Sequence, residues 1–380
     1  MGLINFLLQA WDKPFVDKMA NYSMQSLLST GNVPALAQDH ELRFLLYTDR
    51  SSQTYLRERA LALEAFGEVS VSLFEETNVD GATILDATAS FSQTAQAKKH
   101  NIDRLCQFSA LDRTVQDGVG AVLFIIPQDA FISDGSVSSV YSMIEEGAEM
   151  VGVPTIRLSM ETCGLTPEVI KARGEAGFTA REIVNGMPRN LHRVTRSLIA
   201  DSNQFTQYPA SIFWPADSLG WICRSFFPMP LAVRPNPKKL RFESTMDYEF
   251  GLQMVSAPEL YRIPHSSDEA FLCKVTTDEY LDEIENPMEL TRNRLAHFIL
   301  VETNKAHRAL LDQAYRLIKD DASHCLWAQL EAETKSKLDE VYGFVEALSN
   351  DLPDSPQLQA VKDSHFGTID QYRSPGRRTQ

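Results

Sequence analysis

AVLFIIPQDAFISDGS, residues Ala121 to Ser136, opens with six apolar residues in a row and closes on acids and glycine. Six apolar residues are too few for a helix of ordinary length, and Pro127 and Gly135 interrupt the residues after them. The run therefore reads as a strand buried on both faces, as in a parallel sheet covered by helices. Ligands of open α/β sheets sit outside the carboxyl ends of strands, which makes Asp129 and Asp134 candidate site residues. The same acids would also serve to cap the turn and the next helix, a position that favours Asp and Ser.

Working outward from this strand, the chain alternates. Leu3 to Trp11 reads as a first strand, followed by an amphipathic helix carrying Val16, Met19, Ala20, Tyr22, Leu27 and Leu28 at helical spacing, which Gly31, Asn32 and Pro34 end. Leu42 to Tyr47 is a second strand, Ser52 to Phe66 a helix, and Val69, Val71 and Leu73 alternate as a third strand. Ile84 to Val115 has a helical pattern, with Ile102, Leu105, Cys106, Phe108 and Leu111 on one face. After the Ala121 strand come a short helix from Ser136 and a strand at Met150 to Val153. This alternation predicts an α/β fold built on a mostly parallel sheet flanked by helices.

Downstream, Thr166 with Pro167 signals a helix start, and Thr179 with Glu182 has capping-box spacing. Residues 205–237 are rich in aromatics and proline and read as irregular backbone with short strands, such as Leu231 to Arg234, closer to a substrate-facing wall than to a linker. The segment 241–250 brings Glu243, Asp247 and Glu249 together. YRIPHSSDEAFLCKV, from Tyr261, is strand-like with His265 and Asp268 in its bend. Two long helices are expected over 288–349, and the tail from Leu352 is Pro-, Ser- and Gln-rich.

Composition narrows the classes. The chain has 380 residues, 43% hydrophobic and 23% charged, with a formal net charge of −15. That sign argues against nucleic-acid or anionic-membrane binding through bulk electrostatics. Cys106, Cys163, Cys223, Cys273 and Cys325 are scattered without a CxxC pair, which fits a reducing compartment and no disulfide framework. No stretch approaches 18 apolar residues, and Met1 to Trp11 lacks the features of a signal peptide, so a cytoplasmic location is expected. No GxSxG, Walker A or GxGxxG motif is present.

The opening INFLLQAWDKPFVDKMANYSMQSLLSTGNVPAL, with LRFLLYTD, LFIIPQDAFISDGS, TMDYEF and IPHSSDEAFL, in this order and spacing, resembles nucleotide-sugar-dependent glycosyltransferases of the GT-A fold, and more specifically a bacterial group of them. The resemblance spans roughly residues 3–275 and implies a GT-A-like domain over 1–275. A nucleotide-binding half covers 1–155 and an acceptor half 156–275, with a helical extension at 276–350 and a loose tail at 351–380. It implies transfer of a sugar from a nucleotide-sugar donor to a glycan, lipid or protein acceptor. The nucleotide would be held by Ala10, Trp11 and Asp12 and by Thr48 and Asp49, with Ser133 and Asp268 as further donor contacts.

A GT-A enzyme typically ends the strand after its long helix in DxD, which binds Mn or Mg and the donor diphosphate. Here the motif is DAF: Asp129 matches the first acid and Phe131 stands at the second. Either Asp134, with His265, completes a set of metal ligands with Asp129, or basic side chains neutralise the diphosphate. Lys98, Lys99, Arg104, Arg224 and Arg234 are the candidates for that role. The resemblance makes Asp247, or Glu249, the base for the acceptor hydroxyl. Other readings are a sugar nucleotidyltransferase and a non-catalytic nucleotide- or glycan-binding protein on the same fold. The C-terminal helices are left to pack on the sheet, pair two copies of the chain, or dock a partner.

Overall fold

In the computed structural model, residues 2–91, 95–206, 208–239, 251–279, 289–321 and 323–351 are described. The chain forms two compact units: Met1–His192 with Pro228–Tyr280, and Arg193–Phe227 with Leu281–Gln380.

The first unit is built on strands β1 (Leu3–Gln9), β2 (Glu41–Thr48), β3 (Glu68–Leu73), a small hairpin of β4 (Asn78–Val79) and β5 (Ala82–Thr83), β6 (Val122–Ile126), β7 (Ala130–Ile132), β8 (Met150–Val153) and β9 (Ile156–Ser159). The second unit contributes β10 (Ser211–Pro215) and β11 (Gly220–Ser225). The first resumes with β12 (Met229–Val233), β13 (Tyr261–Arg262) and β14 (Leu272–Thr276), and β15 (Tyr315–Ile318) returns to the second.

Seven strands make the main sheet, in the order β13-β8-β12-β6-β1-β2-β3. All neighbours are parallel except β12, which runs antiparallel to β6 and β8. The expected α/β architecture, with a mostly parallel sheet, flanking helices and a C-terminal helix, is what the chain adopts.

Hydrophobic sequence explains the centre of the sheet. Every residue of Val122–Ile126 is buried, and β1 is buried from Ile4 to Leu8. Register places Phe6 opposite both Phe44 and Phe124, and the three rings stack across the strands at 5.2 and 5.0 Å between centroids. Aromatic contacts of this kind add about 0.5–1.5 kcal/mol each beyond area burial, which favours this register over a slipped one. The helix Ala95–Gln116 carries the chain from the β3 side back to β6 on the other side of β1. Among the described residues, the periodic stretch from Ile84 is helical over Ile84–Phe91 and Ala95–Gln116.

Both capping signals hold. Thr166 Oγ1 accepts the Val169 N–H at 3.3 Å, and Thr179 with Glu182 forms a full capping box at the start of Ala180–Asn190. Beside the main sheet, β7, β14 and β9 form a three-stranded sheet.

The second unit departs from the sequence expectation. Its antiparallel sheet β10-β11-β15 carries the helices Arg292–Glu302, Lys305–Asp312 and His324–Asp351. The span expected as two long helices thus holds, among its described residues, three helices and a strand. Tyr315–Ile318 alternates buried and half-buried residues and pairs with β11, a partner that local periodicity does not reveal. Phe205, Trp214 and Phe226 pack with Phe298, Leu338 and Val345 in the core of this unit. Of the aromatics of the expected substrate-facing wall, Phe213, Trp214 and Phe226 are therefore interior and Trp221, at 9% exposure, is buried too, whereas Tyr208 is exposed. Leu338, Val341, Tyr342 and Val345, at helical spacing, place the apolar face of the last helix in the same core. No described helix is long and apolar enough to cross a membrane.

Candidate functional site

The order of the main sheet creates a switch point. From β1 the chain moves to β2 and β3 on one side, then crosses to β6 on the other. Open α/β sheets bind ligands in the crevice outside such a point, at the carboxyl ends of the two diverging strands. Leu8 lies opposite Ile126, so Ala10–Asp12 and Pro127–Asp129 leave the sheet side by side.

Ala10 is fully buried and donates its N–H to Tyr47 O at 3.1 Å. The Trp11 ring meets Phe74 edge-on at 5.6 Å. Asp12 has φ 60° and ψ 142°, a conformation that suits glycine. Its carbonyl accepts from Phe15 and Val16 at 3.2 and 3.1 Å, while its carboxylate makes no capping bond to the helix Lys13–Lys18 and is exposed. A non-glycine residue held there costs about 1–3 kcal/mol, and such strain gathers at ligand sites. At the same edge, the Oε1 of Gln9 and Oγ1 of Thr48 are buried without a hydrogen-bond partner. Orphaned polar atoms are few in native proteins and call for a physical cause.

Asp129 lies in the turn between β6 and β7. Its carbonyl accepts the Val275 N–H at 2.9 Å, which fixes the turn, and its carboxylate lies 3.5 Å from Arg157 Nη1. The same Nη1 donates to Thr276 Oγ1 at 3.2 Å. The ion pair is longer than the 2.7–2.9 Å of a tight charge-assisted bond. Both side chains are 21% exposed, so an anion can reach the guanidinium.

Beyond β1, Lys13 Nζ lies 2.7 Å from Asp17 and 3.3 Å from the Tyr55 hydroxyl, which itself donates to Asp17. The bond to Asp17 holds the Lys13 ammonium above its ordinary pKa. For Asp17, burial works toward a higher pKa but is outweighed by the bonds from Lys13 and Tyr55, leaving the carboxyl below its ordinary value.

The other sequence candidates disperse. Asp49 accepts the Ser52 N–H at 2.7 Å at the start of the helix Gln53–Ala60. Asp134 accepts the Gly31 N–H at 2.7 Å and fastens that turn to the loop; the N-cap of the following helix, Ser136–Glu145, is Gly135, with no side-chain capping bond. Ser133 is buried, with its hydroxyl 2.7 Å from Ser136 Oγ and its carbonyl accepting from Asn32. Asp268 pairs with Arg181 through bonds of 2.7–3.1 Å. His265 is exposed and donates its backbone N–H to Glu269.

Phe131, at the position of the second DxD acid, is core: it lies on β7 at 1% exposure with its ring edge-on to Phe178. Among the described residues no three His, Cys, Asp or Glu side chains are disposed to hold a metal ion, so Asp129, Asp134 and His265 are not such a group.

Of the basic candidates, Lys98, Lys99 and Arg104 lie on the helix Ala95–Gln116. That helix is tied to the end of β1 by a Gln9 Nε2–Asp103 bond of 2.8 Å. Arg224 belongs to the interior of the second unit, where its guanidinium donates to the carbonyls of Leu311, Asp312 and Glu331 and to Thr334 Oγ1. Burial lowers its pKa, opposed by Asp312 and Glu331. It is a structural clamp. Arg234 pairs with Glu145 at 3.2 Å. Glu243, Asp247 and Glu249 lie outside the described residues.

Sequence reading did not find Arg157, Gln9 or the Lys13–Asp17–Tyr55 group. Asp17 at i+4 from Lys13 was the one local signal. Arg157 gives none, since only the β9–β14 pairing brings it to Asp129.

No protein-family profile and no curated protein sequence matches the chain. One solved structure to which it is similar is that of mouse xyloside xylosyltransferase 1 without ligand. The two share 10% identity, with a TM-score of 0.25, over 40% of this chain and 53% of the other. The chain thus spans about half the length of that protein.

Proposed function

We propose that the protein is a glycosyltransferase that moves a sugar from a nucleotide-sugar donor to a glycan, lipid or protein acceptor. The observation that carries this reading is the switch-point crevice, where the strained, uncommitted carboxylate of Asp12 emerges beside the loosely paired Asp129 and Arg157. Trp11 and Asp12 would contact the nucleotide and ribose. Arg157 would leave Asp129 for the donor diphosphate, offsetting the charge that develops as the sugar–phosphate bond breaks. Asp247 or Glu249 would accept the proton of the acceptor hydroxyl. Resemblance in the opening segments and the LFIIPQDAFISDGS strand supports the same reading.

The buried Phe131 supports a second reading, a non-catalytic nucleotide- or glycan-binding protein, because an acid there would be desolvated in the core. The test is thermal stabilisation by nucleoside diphosphates and nucleotide sugars, with and without manganese, followed by sugar-transfer assays with the ligand that binds. A ligand that binds only the folded state raises Tm by mass action. Transfer that is lost in Arg157→Gln with folding intact supports the enzyme. Binding without turnover on glycan, lipid and peptide acceptors supports the second reading, and no binding refutes both.

A further inference from the structure

The second unit contains a cleft of about 360 Å³ that plays no part in the site above. Phe205, Leu295 and Phe298 form its floor, and Tyr208 and Val301 stand on its rim. These two are 55% and 61% exposed, large apolar side chains left in water at the mouth of one cavity. Its size falls at the lower end of small-ligand pockets, about 300–1,000 Å³.

The polar lining is asymmetric. Arg294 and Glu302 both belong to the helix Arg292–Glu302. Eight residues at 1.5 Å per residue separate their backbones by about 12 Å, so the cleft has a cationic end and an anionic end. Arg294 Nη1 donates to Glu289 O at 2.9 Å, but Nη2 is shut off from solvent without a hydrogen-bond partner. A guanidinium nitrogen in that condition loses hydration with nothing in return, a deficit that an anion removes after a small rotation. The helix N-terminus beside Arg294 adds a field of the same sign. His297 and Thr206 complete the polar lining.

We propose that this cleft binds an amphipathic anion: an alkyl or similar apolar chain lying along the helix over Phe298 and Val301, with one carboxylate or phosphate head on Arg294. The proposal is independent of the glycosyltransferase reading, because it rests only on residues of the second unit.

Calorimetric titration of the full chain with decanoate, decyl phosphate, decanol and inorganic phosphate, each below its aggregation concentration, tests it. Expected is saturable binding of decanoate or decyl phosphate at one site, with none of inorganic phosphate alone. The tighter of the two heads identifies the source of the anion as carboxylate or phosphate. Arg294→Gln should weaken the anion about tenfold or more, the worth of one charged hydrogen bond, and leave decanol unchanged. Val301→Asp, a surface change that leaves the fold intact, should also weaken the anion. Decanol binding as tightly as the anions, an unchanged affinity in both variants, or no binding of either anion overturns the proposal.

Discussion

Replacing Asp12 by glycine separates strain from contact at the crevice. The native residue sits at φ 60° and ψ 142°, where a Cβ is penalised by about 1–3 kcal/mol. Glycine removes that penalty but returns about 0.5–1 kcal/mol through the greater freedom of the unfolded chain. The balance favours Asp12→Gly by about 1 kcal/mol. For a unit of this size that is a rise in Tm of about 2–4 °C. Asp12→Ala keeps the Cβ and so keeps the strain; its melting should match the native protein within about 1 °C. Because the carboxylate caps nothing, neither change removes a structural side-chain bond at the helix start. Both should lose the nucleotide-dependent stabilisation expected of the native crevice. Melting curves of the three proteins, alone and with the ligand that binds the native chain, decide the matter. Equal melting of the glycine and alanine variants would refute the strain argument, and retained ligand shifts in both would refute a binding role for the carboxylate.

Arg224→Met should destabilise the second unit by about 3 kcal/mol, since it strips donors from three carbonyls and Thr334; urea unfolding followed by tryptophan fluorescence would show it. Gly220→Ala should be worse: at φ 132° its Cβ would stand 1.9 Å from Leu317 O, so the β11–β15 pairing must open, and loss of folded yield or a drop of about 3 kcal/mol or more is expected. The lowered pKa of Asp17 gives a pH signature. Its contribution is complete above the ordinary carboxylate pKa and is lost as pH falls through the lowered folded value, so Asp17→Asn should melt less steeply with acid over that range. An unchanged acid limb of Tm against pH would remove Asp17 from the account.

The main sheet was legible where one residue type dominated. Val122–Ile126 admits only a doubly buried strand, and Thr179 with Glu182 admits only a helix start. Tyr315–Ile318 was misread because Leu310, Leu311 and Ala314 continue a helical spacing into it, and the free edge of β11 that claims the strand lies some ninety residues away in sequence. The candidate site was legible only in part. Asp129 was singled out as an acid after a strand end and Ala10–Asp12 through the resemblance, whereas Arg157 owes its place to a pairing between two strands of the small sheet. Asp134 and Asp49 show another use of acids after strand ends, holding a loop and a helix start.

The discontinuity of the two units bears on how the chain is made. A ribosome adding about 5–20 residues per second completes β6 and β8 before β12, the strand that must slot between them, and in the interval it extrudes Arg193–Phe227. That excursion carries Trp214 and Phe226, whose partners Phe298 and Leu338 are still unmade. For several seconds the nascent protein therefore displays aromatic surface that its own later residues will cover, a natural client for a chaperone. Cutting the gene near codon 276 would make that exposure permanent. The sheet would remain in sequence, but it would be joined to a strip of aromatic side chains with nothing to close over them.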